Sequence, residues 1–313
     1  MRLWQLALLP LMVGIMGAAM PCLRSFILAA TAGDLTLGPG AMVYFTQPSR
    51  DQIGQLNQVS GVIRTFKVPS SHAGLRGLTW SNDGWVTFAE ARARKIGRLA
   101  PASGELREFP TVEGLAPDIP VVIGRRIYFS APDAGAIGML EPASGEGVAF
   151  ALPQPGSRPQ TLVDGGDGGL YYCLRRRNWL GRFDLRTDRF AQYPIPTPGA
   201  GACAMAISGT ALYFTESAVG KLASFDLVSH AFKEWRSPGG PNSHPCAIAI
   251  DRTSVWYEET SPARLIHFVP RDRSFVTLAL PWDSPTSALA IDSRARLWLA
   301  PAGANTLALV EEP

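Results

Sequence analysis

An aromatic or apolar residue pair recurs seven times along the chain, and its spacing constrains the fold more than any other feature. The pairs are Tyr44-Phe45, Thr87-Phe88, Tyr128-Phe129, Tyr171-Tyr172, Tyr213-Phe214, Trp256-Tyr257 and Trp298-Leu299. Their second members lie 43, 41, 43, 42, 43 and 42 residues apart. Eight residues after each comes a second apolar marker: Ile53, Ile96, Ile137, Leu180, Leu222, Leu265 and Leu307. Two markers holding one register at this period, with room for four short strands per unit, predict an all-β, seven-bladed propeller of four-stranded antiparallel blades. The 31 glycines and 26 prolines fall at regular intervals as turns between strands, and 46% apolar residues are enough for a packed core.

Within the fifth unit the strands read as Ala204–Ile207, Ala211–Thr215, Lys221–Asp226 and Ala231–Trp235, with turn residues between them. Units one to six each end in an outermost strand: Phe66–Pro69, Glu108–Pro110, Ala149–Pro153, Gln192–Pro196, Glu234–Pro238 and Thr277–Pro281. The seventh stops at Val310-Glu311-Glu312-Pro313 without one. Residues 25–28, Ser25-Phe26-Ile27-Leu28, sit at the offset to supply it, so the N-terminal strand is expected to close the last blade and remove its open edge. This makes residues 22–313 one domain, because blades of a closed ring share a continuous core.

Residues 1–21 have a different character. Arg2 precedes an apolar stretch from Leu3 to Met20 that passes through Gly17-Ala18-Ala19. This reads as an export signal cut near Ala19, or else as an uncleaved membrane anchor, and it places the domain in the periplasm or outside the cell. Cys22 brings lipidation to mind, but Pro21 before it is a poor match to the small residue that such processing requires. A net charge of +3 with 18% charged residues gives no basic stripe, which argues against nucleic acid as a partner. The densest basic run is Arg175-Arg176-Arg177, either a solvated loop or a contact, chiefly through Arg175 and Arg176, for an anionic group.

The second unit carries the fullest repeat: Leu78-Thr79-Trp80-Ser81-Asn82-Asp83-Gly84, Phe88-Ala89-Glu90, Lys95-Ile96-Gly97-Arg98, Gly104-Glu105 and Glu108-Phe109-Pro110. This resembles the repeat of the streptogramin B lyase (virginiamycin B lyase) family of propellers over residues 25–313, with the other units keeping part of the motif. The resemblance implies a seven-bladed ring and a magnesium-dependent elimination that opens a cyclic depsipeptide. In that chemistry a last-blade histidine is the base, a second histidine sits one blade earlier, and glutamates hold the ion. The corresponding positions here are Ser287, Cys246, Pro285 and Ala302, so none of the four groups is kept. No cofactor is expected, magnesium entering only if the family's reaction persists. His244, two residues from Cys246, is the one imidazole near the space concerned.

Propellers bind ligands on the face that carries the loops entering the inner strands and those joining second to third strands. The position just before each inner strand gives Gly33, Arg76, Ile119, Gln160, Cys203, Cys246 and Ser287. The end of each second strand gives Gln47, Glu90, Ala131, Leu174, Glu216, Glu259 and Pro301. Glu90, Glu216 and Glu259 then either form an acidic rim that holds a polar ligand with Arg76 and Gln160, or cap loop amides and pair with neighbouring cations. Glu216, Glu259 and His244 are the candidate bases if a rearranged enzyme exists. Cys203 and Cys246, at one position of adjacent blades, invite a disulfide in an oxidising compartment provided their Cα atoms lie within about 7 Å, with Cys173 as a competing partner; the alternative is that the three are buried thiols. His72, His230, His244 and His267 fall on different units and make no metal cluster. Gly165-Gly166-Asp167-Gly168-Gly169 reads as a hairpin turn on the opposite face.

Three functions follow as expectations. The first is an exported propeller that binds a small molecule or protein at its channel mouth without the lyase chemistry. The second is a lyase or hydrolase of cyclic or peptide-like substrates, and the third a structural docking propeller.

Overall fold

The computed structural model describes residues 22–174 and 176–311. The leader reading of residues 1–21 falls outside them, apart from the Cys22 end of the domain. The described residues form seven four-stranded antiparallel sheets. In six of them the strands follow chain order from the inside outward. The fifth blade runs Ala202–Ser208, Ala211–Glu216, Lys221–Asp226 and Phe232–Arg236, each strand within a few residues of its expected place.

The seventh blade is closed by the N-terminal strand. Cys22–Ile27 pairs with Thr306–Glu311, and Phe26 stands opposite Leu307. The strand begins three residues before the expected Ser25, because pairing continues to Cys22 opposite Glu311. Outer strands in the other blades also start and stop earlier than expected, as in Ile63–Lys67 and Arg189–Pro194. The prolines that follow, such as Pro69 and Pro196, have no N–H to continue a ladder.

The core lies in the seams between blades. All seven second members of the recurring pair, and all seven markers that follow, are fully buried. The closing seam shows why the N-terminal strand matters: Phe26 and Leu28 join Trp298, Leu307 and Leu309 against Val43, Phe45 and Leu56 of the first blade. The glycine of Lys95-Ile96-Gly97 has a packing reason. The Phe88 ring lies across Gly97, its cross-strand neighbour, where a Cβ would overlap it, and Phe45 covers Gly54 in the same way. The residues at 165–168 form the turn between Leu162–Asp164 and Gly169–Leu174, on the face away from the loops that enter the inner strands.

Candidate functional site

Bulges shape the mouth of the ring. In blades two, five, six and seven the inner strand slips register against the second strand, between Arg76 and Leu78, Ala202 and Met205, Pro245 and Ile248, and Thr286 and Ala288. Arg76, Cys203, Cys246 and Ser287 therefore sit in or beside equivalent bulges, a device that re-aims side chains and breaks regular pairing. Gln160 precedes its inner strand; its N–H donates to the carbonyl of Cys173 at 3.1 Å.

Side chains on the blade-one side of the mouth are charged and linked. Asp34 accepts the N–H of Gly77 at 2.9 Å, and Arg76 reaches Asp118 at 3.4 Å, so neighbouring inner strands are tied across the seams. Gly77 adopts a φ of 48°, and a Cβ there would run into the Asp118 carbonyl, so the close approach needs glycine. Burial pushes the Asp34 carboxyl above its usual value, with a further push from Asp118 and opposition from the Gly77 N–H and Arg76.

Across the ring the mouth is thiol- and hydroxyl-bearing. Cys203 and Cys246 are half-buried and Ser287 is exposed. Thr161 donates to the Cys203 carbonyl at 2.8 Å and Thr215 to that of Cys246 at 3.0 Å, one blade onward each time. The Cys173 sulfur lies 3.6 Å from the Cys203 carbonyl, and burial pushes its thiol up to about 12. Cys173, Cys203 and Cys246 all stand as thiols in this structure. His244 is exposed, and its Nδ1 lies 3.0 Å from the Ser217 carbonyl.

The recurring glutamates occupy a different place from the rim that the register suggests. Glu90, Glu216 and Glu259 are fully buried in the seams, because both faces of a blade are covered and the end of a second strand has no solvent side. In blade two, Lys95 contacts Glu108 at 2.6 Å and Ser70 donates to Glu108 through both its N–H and hydroxyl. Blade five repeats this with Lys221, Glu234 and Thr197. Glu90 and Glu216 sit behind these clusters with no partner in hydrogen-bonding geometry for either carboxylate oxygen. Burial first, and the neighbouring carboxylate next, push Glu90 up to about 7 and Glu216 up to about 8. In blade six Glu259 pairs with Arg264 at 2.5 Å and accepts the N–H of Gly239 at 2.7 Å and the hydroxyl of Ser237. This arrangement caps a loop amide, as the alternative to a rim would have it.

Sequence reasoning passed over Glu258. Adjacent residues of a strand face opposite seams, so Glu258 and Glu259 serve different neighbours. Glu258 accepts the N–H of Thr286 at 2.6 Å and its hydroxyl at 2.7 Å, fixing the start of the inner strand of blade seven next to Ser287. Burial pushes Glu258 up to about 7. The adjacent pair of acids on a strand buried on both faces was the available signal.

Sequence reasoning also passed over one opening between two blades. A cleft of about 810 Å³ lies between blades one and two, lined by Arg50, Asp51, Lys67, His72, Arg76 and Arg92. Arg175 of the basic run lies outside the described residues. Arg176 is exposed on the second-to-third-strand loop of blade four, where Arg177 donates to the Pro155 carbonyl at 2.8 Å.

The positions that the sequence resemblance assigns to magnesium chemistry present a thiol at Cys246, a hydroxyl at Ser287, and no donor side chain at Pro285 or Ala302. This set does not fit a hard cation, which takes carboxylate and carbonyl oxygens. Among the described residues no group of three or more His, Cys, Asp or Glu side chains is placed to hold a metal ion.

A model of the virginiamycin B lyase family matches residues 27–310 of the chain. Among solved structures, a streptogramin B lyase superposes with a TM-score of 0.85 at 24% identity, covering 93% of this chain and 98% of that one. The virginiamycin B lyase of Staphylococcus aureus gives 0.84 at 23% identity, covering 93% and 99%. A catalytically inactive variant of that enzyme, with quinupristin, gives the same values. No curated protein matches the sequence.

Proposed function

Because this chain belongs to the virginiamycin B lyase family, the replacements in its last blades become meaningful, and we propose that it is an exported propeller that binds a ligand at its channel mouth without the family's lyase reaction. One observation carries the reading: the positions that the family resemblance assigns to two histidines and two glutamates hold Cys246, Ser287, Pro285 and Ala302 on an otherwise intact ring. An elimination of this kind needs a base beside an acidic carbon-bound proton and a charge to stabilise the electrons released. His244 does not make up for the loss, since among the described residues no carboxylate cluster accompanies it. Glu216 and Glu259, the other candidate bases, are sealed in seams without a path to a substrate.

The bulged mouth and the charged inner strands of blades one to three support a binding role. The leader-like residues 1–21 support export to the periplasm or beyond. Purified protein incubated with quinupristin and magnesium tests the reading. Chromatography is expected to show the cyclic compound intact, and thermal midpoints to be the same with and without magnesium. Ring opening above a protein-free control would overturn it.

A further inference from the structure

From the cleft between blades one and two we infer a binding site for small polyanions bearing carboxylate or phosphate groups. The inference rests on the binding reading above and gives it a location and a ligand class.

The cleft gathers cations from separate stretches of chain. Arg50 comes from the 3-10 turn Pro48–Arg50, Lys67 from the outer strand of blade one, Arg76 from the bulged inner strand of blade two, and Arg92 from the next loop of that blade. Against these four permanent cations the lining offers one carboxylate, Asp51. Much of Asp51 is already committed: it accepts the N–H groups of His72 at 2.9 Å and Ala73 at 3.0 Å, and lies 3.6 Å from Lys67. Arg76 keeps 62% of its side chain exposed beside Asp118. Among the described residues no hydrogen bond or ion pair engages the guanidinium of Arg50 or Arg92.

Four cations sharing one lining carboxylate repel each other, and an anion between them relieves this. A guanidinium offers a planar pair of donors that matches carboxylate and phosphate oxygens alike. The floor beneath is rigid. Ala91 and Arg92 donate backbone N–H groups to Gly74 and Ala73 at 3.1 and 3.0 Å, and Gly74, at φ 68°, lets the Arg92 stem pack against it. Asp51 joins the floor to blade one through the His72 and Ala73 N–H groups, so the backbone that carries the cations is braced before any ligand arrives. The volume is that of a small-molecule site.

Citrate and tripolyphosphate are the probes. Isothermal titration at low ionic strength is expected to show saturable binding that weakens as salt is added. The double substitution Arg50→Gln, Arg92→Gln should weaken it by about tenfold or more. Both side chains are exposed and make no ion pair, so an unchanged thermal midpoint should accompany the loss, and each single substitution should lose part of the affinity. Arg252→Gln, exposed in the turn between the inner and second strands of blade six, should leave binding unchanged. Binding of citrate alone assigns the site to carboxylates, and of tripolyphosphate alone to phosphates. Absence of binding for both, or equal affinity in the wild type and the Arg50, Arg92 variant, overturns the inference. These outcomes are separate from quinupristin opening, which would remove the binding reading while leaving the anion affinities as measured.

Discussion

Blades two and six have the same backbone and opposite chemistry. At the bulge of the inner strand, blade two presents Arg76 and blade six Cys246. At the end of the second strand both carry a buried glutamate. Glu90 lies behind Lys95 and Glu108 with no hydrogen-bond partner, whereas Glu259 is held by Arg264, Ser237 and Gly239. Five residues separate glutamate from cation in each, and Thr277 stands in blade six where Glu108 stands in blade two. A repeat therefore fixes where side chains are placed and leaves what they do to single substitutions, which is how a lyase-type ring can keep its fold and change its site.

The comparison breaks most visibly at Glu259. Its removal leaves Arg264 partly buried with no counter-charge, so Glu259→Ala should cost about 3–5 kcal/mol in chemical denaturation. Glu90→Gln at pH 7 replaces a carboxyl raised to about 7, close to half neutral there, and should stay within about 1 kcal/mol. Similar costs for the two would mean that the seams are alike after all.

The pH dependence sharpens the same contrast. Folding raises Glu90 and Glu216 above their ordinary value of 4.5, so the folded chain keeps protons that the unfolded chain has released. That contribution is complete below pH 4.5 and is lost as pH climbs through about 7 and about 8, the folded values. Each group tilts stability by at most about 1.4 kcal/mol per pH unit in that window. Thermal midpoints between pH 5 and 9 should fall for the wild type and fall less steeply for the Glu90→Gln, Glu216→Gln double variant, in which Glu258 keeps its share. An equal slope in both would remove these carboxyls from the account.

The smallest effect belongs to Arg76. Its pairing with Asp118 is exposed and long, so Arg76→Gln should change stability by less than about 0.5 kcal/mol. Citrate or tripolyphosphate affinity should nevertheless drop about threefold, because one cation of the cleft is gone. A stability loss larger than the binding loss would make Arg76 a structural residue.

Most of the ring was legible because its markers are all core. Phe45 and Ile53, and their six counterparts, are buried at 0% exposure, and burial at a fixed interval is what a period in sequence records. The closing strand was legible as a missing piece at one end and a spare one at the other. The seam position of Glu216 was not, since a carboxylate ending a strand reads as a surface residue unless the neighbouring blade is known to cover it. The cleft was hidden for another reason. Arg50, His72 and Arg92 lie in connections that carry no repeat marker, and only the docking of blade one on blade two brings them together. Arg76 alone was singled out, because it shares a register with the other bulge residues.

The central claim, that the ligand face now works through the cations of blades one and two and has left the last-blade chemistry behind, is tested most directly by locating a bound anion. Crystals soaked with citrate should show difference density between Arg50, Arg76 and Arg92. Density seated instead against Cys246 and Ser287, with that cleft empty, would contradict it.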